Sequence, residues 1–141
     1  MELSDVTIQT IERDIILAEG IFGREAVIWP LSGSWIRING YRLPPFYNRP
    51  KTDLLIVMPP HYGLIDVSLQ EFYIDKGLRV NTKTGWKTIP HYYQDDGLNK
   101  YSADGWSWFC LHPRSWKKTD NILTFLKLID LMLQNPYKWN T

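Results

Sequence analysis

Residues 105–116 read Gly105-Trp106-Ser107-Trp108-Phe109-Cys110-Leu111-His112-Pro113-Arg114-Ser115-Trp116. Trp106 and Trp108 alternate with Ser107, the period of a half-buried strand. The only cysteine of the chain lies here. Taken by itself, Cys110 between Phe109 and Leu111 reads as a core thiol, because free cysteine is among the most buried residue types. A helix follows at once. Asp120 is a natural N-cap, Ile122, Phe125, Leu126, Ile129, Met132 and Leu133 form a wide apolar face, and Pro136 marks the end.

Upstream, the run Leu54-Leu55-Ile56-Val57-Met58 is continuous and apolar, as in a strand buried on both faces. Pro59-Pro60 ends it, because proline cannot donate to the ladder. Two earlier strands are expected, Ala26 to Trp29 and, after the turn signal Ser32-Gly33, Ser34 to Asn39. Phe72 to Ile74 gives a further short one. At the start of the chain Ile8, Ile11, Ile15, Ala18 and Phe22 recur at helical spacing, with Ser4 to cap them and Gly20 or Gly23 to stop them. Residues 75–105 show little periodicity and read as loop with short strand pieces. The order of helix, three or four antiparallel strands, irregular stretch and helix predicts an α+β arrangement, with helices against one face of a β-meander.

A length of 141 residues suits a single domain over 1–141. Hydrophobic residues make up 44% of the chain, enough for a globular core, and seven tryptophans and eight tyrosines supply large rigid packing units. A net charge of +1 lacks the basic excess of a phosphate-backbone binder, which argues against a nucleic-acid partner. One cysteine excludes an internal disulfide framework and fits a reducing compartment. Acidic residues scattered through the first twenty positions match neither a signal nor a transit peptide. No apolar run reaches the roughly 18 residues of a membrane helix, so a cytoplasmic location without membrane contact is expected.

The segment from Gly105 to Pro136 resembles the ubiquitin-conjugating (E2) family: a glycine, a short apolar run, Cys110-Leu111, the tryptophan Trp116, and a helix closed by a proline twenty positions on. Pro59-Pro60-His61-Tyr62-Gly63 after the apolar strand resembles the family's Pro-x-x-Tyr-Pro element, with Gly63 where proline is usual. The resemblance covers about residues 34–136. With Leu43-Pro44 before the strand it looks closest to the bacterial E2-like proteins encoded beside conjugation partners, often in antiphage defence operons. It implies a UBC-like fold lacking the last two helices of the usual E2 domain. It also implies that Cys110 accepts a ubiquitin-like protein as a thioester from an E1-like enzyme and passes it to a target lysine. No cofactor is implied: the E1 consumes the ATP, and no Gly-rich phosphate loop occurs.

Both steps are acyl transfers through a tetrahedral oxyanion. A free thiol with a pKa of about 8.5 is scarcely ionised at neutral pH but is intrinsically nucleophilic, so modest activation suffices. His112, two residues from Cys110, lies on the same side if this stretch is extended, and is the first candidate for proton movement or for holding the oxyanion. The family's His-Pro-Asn element is absent; Asn99 is the nearest upstream asparagine and a weaker candidate donor. His61 and His91 read as ordinary loop histidines. Arg114, Lys117 and Lys118 form a basic group that either faces solvent, favours the thiolate or meets a partner. Trp106 or Trp108 is a candidate contact for the ubiquitin-like tail. Asp95, Asp96 and Asp104 are loop carboxylates, one of which could deprotonate an incoming amine. A metal site is not supported, since a lone Cys-x-His pair is weak and no Cys-x-x-Cys occurs. The alternatives are a non-catalytic E2-like adaptor that binds an E1 or ubiquitin-like protein without a thioester, and a cysteine hydrolase.

Overall fold

The computed structural model describes residues 3–64, 66–93, 101 and 104–137. The chain opens with α1, Asp5–Phe22, capped where the Ser4 hydroxyl accepts the Thr7 N–H at 3.1 Å. It stops at Gly23, whose positive φ of 89° suits glycine and whose N–H donates to the Glu19 carbonyl. The buried stripe is Thr7, Ile11, Asp14, Ile15 and Ala18. Ile8, expected on that stripe, is exposed, and a carboxylate takes its share of the core-facing surface. After a short 3-10 turn, Arg24–Ala26, come β1 (Val27–Ile28), β2 (Trp35–Arg42), β3 (Lys51–Val57) and β4 (Glu71–Asp75). The stretch read as mostly loop contains β5 (Val80–Thr82), β6 (Gly85–Lys87) and β7 (Tyr92–Tyr93), followed by β8 (Trp106–Cys110). The last element is α2, Ile122–Gln134.

The main sheet has the order β1-β2-β3-β4-β8-β7, antiparallel throughout, and β5 and β6 form a separate hairpin. Alternation divides its residues between two faces. Ile36, Ile38, Leu54, Ile56, Phe72, Ile74 and Phe109 join the helices in the main core, where the Phe125 ring of α2 meets Phe72 edge-on at 5.7 Å. Leu55, Tyr73 and Trp106 form a smaller cluster with Trp35, Val57, Tyr101 and Trp108. Leu54, Leu55 and Ile56 are all buried, as expected of a strand covered on both faces. The architecture is the expected α+β arrangement, an antiparallel meander with a helix before and after it; among the described residues there are two α-helices.

The start of α2 differs from expectation by one residue. Asn121, not Asp120, is the N-cap: its side chain accepts from the Leu123 N–H, while Thr124 returns a bond to the Asn121 N–H in a capping box. Asp120 instead closes the preceding turn by accepting from the Lys117 N–H at 2.6 Å. Another helix donor is met from a distance. The buried Asp14 carboxylate accepts the Ile122 N–H at 3.2 Å, the Tyr62 hydroxyl and the Arg13 guanidinium. One side chain of α1 thus ties together the Pro59-Pro60-His61-Tyr62 turn and the first turn of α2. The Trp116 ring lies 6.4 Å from Tyr62 and closes this corner.

The same corner explains Gly63. Its φ is +100°, a value closed to proline, whose ring fixes φ near −65°. A β-carbon there would also collide with the Thr10 side chain of α1. Gly63→Ala is therefore expected to cost about 2 kcal/mol, the scale of a strained left-handed residue with a local clash. Urea unfolding measures it, and an unchanged midpoint would mean that α1 does not pack against this turn as described.

Candidate active site

Cys110 is the last residue of β8 and is half-buried; it is a free thiol. The strand places it by simple alternation. Ser107 and Phe109 face the helices, so Trp106, Trp108 and Cys110 face the other side. Register then fixes its neighbours. On that face one row across four strands runs Trp35, Val57, Glu71, Cys110, and the next runs Arg37, Leu55, Tyr73, Trp108, Tyr93. The thiol stands at the corner of an aromatic shelf.

His112 is where an extended chain would put it. Its Nε2 is 3.3 Å from the Cys110 Sγ, and the ring is exposed. The pair is within the sulfur hydrogen-bond range, so a proton can pass between Sγ and Nε2. The Cys110 N–H is already committed, donating to the His91 carbonyl at 3.0 Å. It is therefore not a ready oxyanion donor, and this gives His91 a backbone part in fixing the thiol. His91 itself adopts a left-handed φ of 59° to enter β7.

The other predicted residues separate. Trp106 is 7% exposed, sandwiched in the second cluster with the Arg37 guanidinium 5.2 Å above its ring. Its expected role as a contact surface does not fit that burial. Trp108 is half-buried and stacks on the exposed Tyr93 at 5.2 Å, so that pair offers the accessible aromatic surface next to Cys110. Arg114, Lys117 and Lys118 are exposed on the segment leading from Cys110 to α2. Asp104 precedes β8 at the end opposite Cys110, beyond a strand of four residue steps, or about 13 Å, and so is not brought to the thiol by the sheet. Asn99, Asp95 and Asp96 lie outside the described residues. Among the described residues no three His, Cys, Asp or Glu side chains are grouped as metal ligands.

Glu71 was not singled out from the sequence. It is the direct partner of Cys110 on β4, and its Oε2 accepts the Tyr73 hydroxyl at 2.8 Å. Only the pairing of strands far apart in sequence brings it to the thiol. Its one local signal is the Glu-x-Tyr spacing at the head of the Phe72–Ile74 run, which puts both side chains on one face.

A meander between two terminal helices, with an accessible cysteine ending the strand before the last helix, defines an E2-like protein of the UBC fold. The chain belongs to prokaryotic E2 family E, whose sequence model matches residues 19–136. No curated protein and no solved structure matches it. E2 proteins act in ubiquitin-like conjugation, between an E1-like activating enzyme and a ubiquitin-like protein.

Proposed function

We propose that this chain is a single-domain E2-like carrier that accepts a ubiquitin-like protein on Cys110 as a thioester and transfers it to a target lysine. The observation that carries this reading is the half-buried free thiol of Cys110 at the end of β8 with His112 Nε2 3.3 Å from its Sγ. In the first step the Cys110 sulfur attacks the carbonyl of the E1-bound thioester, a C–S bond forms to Cys110, and the E1 thiol departs. His112 receives the thiol proton from Sγ and, once protonated, can donate to the oxyanion that develops beside it. The shelf of Trp108 and Tyr93 gives the arriving tail an apolar, rigid surface, and Arg114, Lys117 and Lys118 offer a partner positive charge. The described residues contain no helix long and apolar enough to cross a membrane. We place the protein in the cytoplasm, within an operon-encoded conjugation system of the antiphage defence type.

The test is reconstitution with an E1-like enzyme, a ubiquitin-like protein and ATP, analysed on non-reducing gels. A carrier gives an adduct that thiol reductants remove. An adaptor gives binding without an adduct, and a hydrolase gives Cys110-dependent turnover of activated esters instead.

His112→Asn is expected to slow single-turnover charging by about a hundredfold, the lower range for losing a positioned proton-transfer group or an oxyanion donor. Rapid-quench charging assays check this. A rate equal to wild type would remove His112 from the chemistry and leave Cys110 acting without it.

A further inference from the structure

We propose that Glu71 is the catalytic carboxylate for the second step, and that it makes the carrier selective for amine acceptors. This deepens the carrier reading and rests on it. Directly opposed residues of an antiparallel pair carry their β-carbons about 4.5–5.5 Å apart on the same face. Glu71 and Cys110 are such a pair. The face is not in doubt, because Tyr73 and Trp108 are the next pair on it and the Tyr73 hydroxyl bonds to the Glu71 carboxylate at 2.8 Å. Tyr73 is buried, so its ring is a fixed post. It holds Oε2, and among the described residues Oε1 has no partner.

The carboxylate has no part in the first step, the attack of the sulfur on the incoming thioester. Its benefit comes when the sulfur is acylated and neutral. A lysine then arrives as an ammonium ion, which is attracted to Glu71 but cannot attack until it loses a proton. Glu71 Oε1 takes that proton. The neutral nitrogen attacks the thioester carbonyl, the C–N bond forms and the C–S bond breaks. Cys110 departs as a thiolate, and the second proton of the nitrogen passes to that sulfur. Glu71 then returns its own proton to solvent. The products are one amide, one free thiol and one released proton. A thiol acceptor gains nothing from this arrangement, since its thiolate is repelled by the carboxylate.

The test compares single-turnover discharge of the purified thioester to free lysine and to 2-mercaptoethanol. In Glu71→Gln the ratio of lysine to thiol discharge is expected to fall about a hundredfold. Tyr73→Phe frees the carboxylate without removing it and should lower the ratio by a smaller factor, as expected of a positioning residue. A structural defect would slow both acceptors together and leave the ratio fixed. An unchanged ratio in Glu71→Gln overturns the assignment of Glu71 while the carrier reading stands. A wild-type protein that forms no thioester overturns both.

Discussion

Replacing Cys110 with alanine is expected to leave a folded protein that forms no reductant-sensitive adduct, with charging reduced to background. The loss is total because the acyl group has nowhere else to go: this is the only cysteine, and no other side chain makes a thioester. The fold should survive because Cys110 is half-buried at a strand end, outside both apolar clusters. Its truncation should cost no more than about 1 kcal/mol. Cys110→Ser refines the test. A serine hydroxyl is a far weaker nucleophile than a thiol at neutral pH, so charging should be much slower. Any adduct that accumulates would be an oxygen ester and resist reductant. Charging assays with circular dichroism on the same samples check the outcome; an adduct that persists in Cys110→Ala would place the chemistry on another residue.

Asp14→Ala is expected to be the most damaging substitution for stability. The carboxylate is fully buried and serves the Tyr62 hydroxyl and the Ile122 amide, each of which would lose its acceptor away from water. An unsatisfied buried donor costs about 1–3 kcal/mol, so the pair gives a loss of about 3 kcal/mol. For a chain of this size that corresponds to a fall in Tm of roughly 10 °C. Arg13 is partly exposed and can return to solvent, so its share is small.

The same carboxyl also predicts a pH dependence. Burial raises its pKa above the ordinary value, against the opposing hydrogen bonds from Tyr62 and Arg13. The folded state then holds the proton more tightly than the unfolded chain. Stability from this group is full below its unfolded pKa of about 3.9 and is lost as pH rises through the folded value. Relative to Asp14→Asn, whose side chain does not titrate, the wild type should therefore lose stability as pH rises from acid to neutral. Urea unfolding of both proteins across that range decides it; a constant difference would contradict the burial assigned to Asp14.

The elements that write their own pattern were legible in the sequence. The Leu54–Met58 run, the Ser4 cap, and the spacing from Ile122 to Leu133 each dictated a local structure that packing then kept. Errors arose where two residues compete for one local role, as with Asp120 and Asn121, or where a tertiary contact overrules periodicity. Ile8 fits the helical stripe better than Asp14 by hydropathy alone. Asp14 is nevertheless inside, because Tyr62 and Ile122, 48 and 108 residues away, supply the donors that a buried carboxylate needs. The short strands β5, β6 and β7 carry too few residues to display an alternation. At the site, Cys110 and His112 were legible because they are neighbours in the chain. Glu71 was not, because its position depends on the β4–β8 register, and neither was the burial of Trp106, which depends on what lies across the sheet from it.

The most direct measurement is mass spectrometry of the charged protein, prepared without reductant from the E1-like enzyme, the ubiquitin-like protein and ATP. The account predicts one ubiquitin-like chain joined through its terminal carbonyl to the peptide containing Cys110, released by a thiol. An intact non-covalent complex with an unmodified Cys110, or a chain found only on lysine when Cys110 is absent, would contradict it.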